Sequence, residues 1–540
     1  MIRALPAFSA LLLLAAPAPA CTNLLVTPGA SADGSAFVTY TCDGVFHAIL
    51  RRQPARDHEP GAVYQIRHWD GAVHGEIPQV DHTYAYVNLM NEHQVAIGET
   101  TFDGRLELQN QDAMLHYWTL MQLALQRART AREAVEVITL LAEEYGYRST
   151  GESFSICDPR EVWLLEMIGC GAGEIGAVWV ARRLPDGTVS AHANMARIGA
   201  FPTDDKNTLY SDNVFEVAIR NGWYDPDAGA PFNFRDVYDP AAPRKKRYTA
   251  TRVWSLLRRA APSLELSPDF HRGVPGTVDY PLWVEPDEKI TLADVRDLMR
   301  DHYEGTDFDM SVGVDAGPFG NPNRWRPMGW EQDGASCTWE RPISTQQTGY
   351  SMIAQCRRGL PDMIGGCLWY GVDDTYTTVW IPLYAGVAGI PASFATGSLD
   401  AFSWDSAWWI FNLVANYACL KYDYMIEDIR AVQRELEDGL DAMRPAVEQT
   451  ALRLHAEDPA SAAAYLTTYA VSTGERVFAR WRALAGELIT RYNDGYVRTD
   501  GHAEEVGYPE AWRRDVLRLR PEQFRLPAEQ PDSLQTDLPY

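Results

Sequence analysis

A chain of 540 residues with 46% hydrophobic and 22% charged content is long enough to bury a sizeable core, and its composition excludes disorder as the default. A formal net charge of -25, from 73 acidic against 48 basic residues, argues against nucleic acid or an anionic membrane as partner, because both select clustered Lys and Arg. No later stretch offers the roughly 18 consecutive apolar residues of a spanning helix, so no membrane insertion is expected.

The N-terminus reads as a secretion signal: Arg3 gives a positive start, Leu11 to Ala16 an apolar run, and Ala18-Pro19-Ala20 an A-x-A cleavage site. Residues 1–20 are therefore expected to be a signal peptide, and cutting after Ala20 leaves Cys21 first. The product is expected to be exported, periplasmic or extracellular, and lipid-anchored if Cys21 is lipidated. The chain has eight cysteines; a free Cys21 leaves seven, so at least one more must stay unpaired.

From Cys21 to about Glu107, short apolar runs such as LLVT and AFVTY alternate with turn signals such as ASADGS, which predicts β-sheet. Between Asp112 and Tyr145 the apolar residues recur at helical spacing, and Thr130 with Glu133 makes a capping box that separates two helices. Strands return in EVWLLEMI, AVWVARRL, GGCLWYGV and TTVWIPLY. Thr291 with Asp294 announces a helix over Leu292 to Tyr303. Blocks of strands alternating with helix pairs point to an α+β fold of helices packed on antiparallel sheets. After about Met425 the texture is helical, with Ile426, Ile429, Val432, Leu436, Leu440 and Met443 in one apolar stripe.

Gly171, Gly173 and Gly176 satisfy G-x-G-x-x-G after a strand, yet the next residues, AVWVARRL, read as another strand. A dinucleotide fingerprint needs a helix there, so the glycines are expected in a hairpin turn. H-E-x-x-H, G-x-S-x-G and paired C-x-x-C are absent, and His93 stands alone, without metal-ligand spacing.

Cys21 carries chemistry by its position. A free N-terminal cysteine holds a thiol beside an α-amine whose unperturbed pKa is about 7.7 to 8, so one residue supplies nucleophile and general base. Two other readings stay open from the residues alone: the first residue of a secreted chain without a chemical role, and the lipidated cysteine of a lipoprotein.

CTNLLVTPGASADGS followed by MNEHQVAIGETTF resembles the opening of the dipeptidase A family of cysteine peptidases, peptidase family C69, within the N-terminal nucleophile hydrolases. The resemblance continues through ESFSICDPREVWLLE, VWVARRLPDGTVSAHANMARI, RDHYEGTDFDMSVGVDAGPFGNP, ISTQQTGYSMIAQCR and FSWDSAWWIFNLVANYA, to about residue 430. It implies a four-layer αββα sandwich with Cys21 at the start of a central strand, and hydrolysis of small peptides. The implied organisation is a catalytic domain over 21–424, an added helical segment over 425–500 and a Pro-rich polar tail over 501–540.

The resemblance also implies roles. Cys21 matches the nucleophile and Asp43 the acid that orients the α-amine, against a plain turn Asp beside Gly44. Asn194 matches the donor to the tetrahedral oxyanion, a contact whose loss costs about 100- to 1,000-fold in rate, against an Asn that satisfies a turn. Arg252, or nearby Arg247, matches the arginine that lowers the thiol pKa, against an arginine on the surface of a helix. Arg197 is a candidate for the substrate carboxylate, with a structural salt bridge as its other reading. Two departures stand out. Many members carry an arginine just before the acid, where this chain reads TYTCDG, so either Tyr40 replaces its contact or another cation does. The related amidases use an Asn where Thr100 and Thr101 stand, which makes a Thr hydroxyl or a backbone amide the second oxyanion donor.

The expected function is thus an exported cysteine dipeptidase that works through a thioester on Cys21, on small peptides, with no metal or organic cofactor because protein groups fill every role. The alternatives are an amidase of the choloylglycine hydrolase and penicillin V acylase type, and a non-enzymatic lipoprotein lipidated at Cys21. A homo-oligomer is left open.

Overall fold

Strand β1 (Asn23–Val26) enters the fold, and β2 (Ala36–Asp43) returns beside it after the turn at Asp33-Gly34. Gly34 has φ 75°, a conformation that glycine adopts without the Cβ penalty of other residues. The structure, a computed structural model, describes residues 21–68 and 71–526. The expected signal peptide, residues 1–20, and the end of the polar tail, 527–540, lie outside the described residues.

β3 (Ala96–Phe102) precedes helices α1 (Tyr117–Arg127) and α2 (Ala131–Tyr145). Thr130 Oγ1 accepts from the Glu133 amide at 3.1 Å, while the Glu133 carboxylate reaches the Arg129 amide at 2.7 Å, one residue before the usual capping-box donor. β4 (Gly151–Cys157), β5 (Val162–Gly169) and β6 (Ala177–Arg183) pair antiparallel in succession. Gly171, Gly173 and Gly176 form the β5–β6 connection, all at positive φ, and no helix begins there.

β7 (Val189–His192) and α3 (Pro243–Ala260) come next, then α4 (Leu292–Leu298), which opens on the expected capping box of Thr291 and Asp294. α4 stops well short of Tyr303. The Thr375 hydroxyl takes the Met299 carbonyl at 2.7 Å, and Tyr303 turns the chain at φ 69°, so tertiary contacts end a helix that the local pattern would extend. β8 (Thr348–Cys356), β9 (Cys367–Val372), β10 (Ile381–Tyr384), α5 (Ala407–Ala418), α6 (Tyr422–Glu457) and α7 (Pro459–Tyr492) follow.

Among the described residues, one sheet has the order β7-β1-β2-β8-β9-β10, edged beside β7 by Trp283–Val284. The other runs β6-β5-β4-β3, with short strands beyond β3 and Thr208–Tyr210 beside β6. Both sheets are antiparallel, which makes the fold α+β. β2 packs on β3 and β4, which brings the sheets together, while α1 and α2 pack on strands β3 to β6 and α3, α5 and α7 on the first sheet. β4, β5, β8, β9 and β10 are buried along their whole length, as strands covered on both faces must be.

In α6, Ile426, Ile429, Val432 and Leu440 are buried as the stripe predicts, but Met443 is 46% exposed. Polar pairs share that face: Gln433 donates to the Tyr376 carbonyl at 3.0 Å, and Glu437 takes Arg300 at 2.6 Å. Beyond Leu440 the contact passes to Val447 and Ala451. α7 is pinned by Trp481, which stacks on Phe411 of α5 at 4.7 Å. The polar tail carries a hairpin, Val497–Thr499 with His502–Glu504, and a helix, Glu510–Leu519. No helix of the described residues is long and apolar enough to cross a membrane. All eight cysteines are unpaired.

Asp373, buried just past β9, gives a pH-dependent term. Burial pushes its carboxyl up to about 7, partly offset by Asn412, whose Nδ2 donates to it at 2.8 Å. The folded chain holds this proton more tightly than the unfolded chain, where Asp titrates near about 3.9. Its contribution is therefore fully present below pH about 4 and is lost as pH rises through about 7. Urea unfolding of wild type and Asp373→Asn from pH 4 to 8 should show wild type losing on the order of a few kcal/mol relative to the variant by pH 7 and no more above it.

Candidate active site

Cys21 precedes β1 and is fully buried. Thr22 bridges Thr41, and the pairs Leu25–Val38 and Val26–Phe37 continue the same register, so Cys42 stands directly across from Cys21. Tyr40 lies two residues from Cys42 along β2 and so shares its face. The Tyr40 hydroxyl is 3.9 Å from Cys21 Sγ and donates to Glu99 Oε1, to which Sγ also donates at 3.7 Å. The two sheets meet at Gly98, where a Cβ would sit 2.6 Å from Asn23 Nδ2 and 3.0 Å from the Thr39 carbonyl. Only glycine allows that approach.

Asp43 ends β2 and is buried. Its carboxylate pairs with Arg341 and accepts from Thr348 Oγ1 at 2.6 Å and Thr41 Oγ1 at 3.1 Å. Thr41 Oγ1 in turn accepts from the Thr22 amide at 2.9 Å, so a hydrogen-bonded chain runs from Asp43 to the residue after Cys21. The cation on the acid is therefore Arg341, and Tyr40 goes to Glu99 instead.

Arg252, on α3, joins the two principal candidates. Its Nη1 donates to the Cys21 carbonyl at 2.6 Å and to Thr22 Oγ1 at 2.9 Å, and its Nη2 donates to Asn194 Oδ1 at 3.0 Å. Burial, then Arg341 nearby, lowers this guanidinium to about 9, still a cation at neutral pH. Arg247 is elsewhere, 3.5 Å from Glu340. The arginine expected to lower the thiol pKa thus grips the backbone of Cys21. Burial, the Cys42 thiol and Glu99 push the Cys21 thiol up.

Asn194 follows β7 at φ 56°, a left-handed conformation that Asn tolerates better than most residues. Its Nδ2 donates to the Thr101 carbonyl at 2.7 Å. Arg197 holds that loop: its amide and that of Ile198 donate to Glu166 at 2.5 and 2.9 Å, and its guanidinium meets Asp279 at 3.3 Å and the Pro281 carbonyl at 2.6 Å. These partners give Arg197 a structural place. Thr100 Oγ1 bonds His192 Nδ1 at 2.7 Å, and burial, Arg197 and Arg252 lower that imidazole to about 3, so it is neutral. Thr101 Oγ1 donates to Glu152 at 3.2 Å.

Sequence reasoning did not name Glu99, Glu152 or Arg341. Glu99 in IGETTF and Glu152 in GESFSIC are acids inside strands that are buried at every residue, the acids included, and an acid within a strand was the available signal. Burial pushes both carboxyls up, and each acts on the other.

The sequence profile of peptidase family C69 matches residues 59–435. The chain belongs to peptidase family C69. The resemblance read from the sequence is thereby borne out. The matched span contains Glu99, Glu152, Asn194, Arg252 and Arg341 and begins after Cys21 and Asp43. A probable dipeptidase of Salmonella dublin is 28% identical to this C69 peptidase over 413 residues, 71% of this chain and 84% of that one. A probable dipeptidase A of Streptococcus pyogenes serotype M3 is 25% identical over 450 residues, 79% and 89% of the two chains. The dipeptidase A of Lactobacillus helveticus is 25% identical over 320 residues, 59% and 58%.

Proposed function

We propose that this C69 peptidase is an exported cysteine dipeptidase of the N-terminal nucleophile kind, cut after Ala20 and hydrolysing dipeptides or short peptides through Cys21. The observation that carries the reading is Arg252: one buried guanidinium ties together the Cys21 carbonyl, 231 residues away, and the Asn194 side chain, 58 residues away. A nucleophile and an oxyanion donor need such mutual fixity, because misplacement of either removes the gain from orientation. Helices on both outer sides of two facing sheets support the four-layer αββα sandwich.

In this mechanism the free α-amine of Cys21 takes the thiol proton, and the thiolate attacks the peptide carbonyl. The oxyanion receives Asn194 Nδ2, with a backbone amide or Thr hydroxyl as second donor. Asp43 acts through Thr41 on the Thr22 amide to fix the N-terminus. The amine then protonates the leaving group, and water cleaves the thioester.

The test is the protein recovered from an exporting host. It should begin with unmodified Cys21, hydrolyse simple dipeptides, and lose that activity as iodoacetamide labels Cys21. A diacylglyceryl mass on Cys21, or full activity after stoichiometric labelling, would overturn the reading.

A further inference from the structure

The mechanism leaves one carboxyl beside Cys21 without a task, and its charge has the wrong sign for the chemistry. A negative charge beside a thiol opposes the thiolate, yet Glu99 Oε1 lies 3.7 Å from Cys21 Sγ. The Glu152 carboxyl lies against Glu99, and both residues are fully buried. The two carboxyls hydrogen-bond to each other, which takes one shared proton, and no other protein donor reaches Glu99 Oε2 or Glu152 Oε1. A cationic donor entering here would take the place of the shared proton and offset the carboxylate charge beside the sulfur.

We propose that Glu99 and Glu152 form the receptor for the α-ammonium of the substrate's first residue, so that cleavage falls after that residue. In a peptide the α-nitrogen lies roughly 2.5 Å from the carbonyl carbon of its own residue. A carbonyl held about 3–3.5 Å from Cys21 Sγ for attack keeps that nitrogen within about 6 Å of the sulfur, a sphere that includes the Glu99 carboxyl. An ammonium brings three N–H donors, enough for Glu99 Oε2 and Glu152 Oε1 together. Its charge offsets that of Glu99, so the substrate itself relieves the suppression of the thiolate. An N-acylated residue brings no charge to replace the shared proton, which makes the pair a filter for free amino termini. The proposal rests on the dipeptidase reading, whose substrate it specifies.

Glu99→Gln keeps the side chain's volume and removes its charge. With Ala-Ala and N-acetyl-Ala-Ala as substrates, the processed wild type should favour the free amine at least 100-fold in kcat/KM. Glu99→Gln should lower that preference at least tenfold by losing Ala-Ala turnover. A second readout needs no turnover: L-alaninol, an amine without a carbonyl, should change the rate at which iodoacetamide labels Cys21 at least threefold in wild type. It should not do so in Glu99→Gln, and N-acetylalaninol should have no effect on either. Should Glu99→Gln fail to fold, Glu152→Gln takes its place in both assays. An unchanged free-amine preference in a folded variant, with dipeptides still hydrolysed, overturns the proposal and leaves the dipeptidase reading standing. A Glu99-dependent alaninol effect in a protein that hydrolyses no dipeptide supports the ammonium site and overturns that reading.

Discussion

Cys21→Ala in the processed chain is expected to remove dipeptide hydrolysis, with kcat falling about 10^5-fold or more, the scale seen when a covalent nucleophile is deleted. Alanine leaves the α-amine, the Arg252 contact to the residue-21 carbonyl and the Thr22–Thr41 bridge in place, because all three are made by backbone or by neighbours. The loss should therefore appear in kcat with the thermal melt close to wild type. Cys21→Ser makes a sharper comparison. Its hydroxyl fits the same cavity but ionises far less readily than a thiol, so a large loss with intact folding isolates nucleophilicity from packing. An uncut chain that retains residues 1–20 keeps the thiol and lacks the free amine, and it should be as inactive as the alanine variant. Steady-state rates on one dipeptide, with the intact mass of each protein, check all three. Alanine-variant activity above about 1% of wild type would mean that another group makes the attack.

The parts of this arrangement that were legible in the sequence are those governed by short-range rules. LLVT and AFVTY read as strands because apolar runs bounded by turn residues have little else to become, and the caps at Thr130 and Thr291 lie within four residues of what they cap. Cys21 was legible from its place after an A-x-A site. Asn194 and Arg252 were legible only through resemblance, and their meeting at one guanidinium is a tertiary fact. The choice between Tyr40 and another cation as the contact of Asp43 could have been made from the strand alone. Residues 40 and 43 are an odd number apart, so their side chains leave opposite faces of β2. Tyr40 shares its face with Cys42 and reaches Glu99, while Thr41 shares a face with Asp43 and bonds to it. The true cation, Arg341, lies 298 residues away in a stretch without periodicity, where no local rule applies. Glu99 and Glu152 were missed because a strand pattern prices a buried acid as an exposed one; only the register that pairs Thr101 with Glu152 brings the two carboxyls together.

The ion pair of Asp43 and Arg341 carries the second large effect. Both side chains are almost wholly inaccessible, so neither charge has water to fall back on. Arg341→Met keeps most of the volume and removes the cation, which leaves a buried carboxylate held only by the Thr348 and Thr41 hydroxyls. Breaking a buried pair from one side costs about 3–5 kcal/mol, and the urea midpoint of Arg341→Met should fall accordingly. Dipeptide turnover should fall with it, since Asp43 reaches the N-terminus through Thr41. Adding Asp43→Asn removes the stranded charge, and replacing both members of a buried pair is often close to neutral for stability. The double variant should therefore recover most of the urea midpoint and little of the turnover. That split is what separates the two roles of the pair: a double variant that regained both would reduce Asp43 to a packing residue, and one that regained neither would mean that Arg341 stabilises the fold through its carbonyl contacts at Pro342 and Ile343 rather than through the acid.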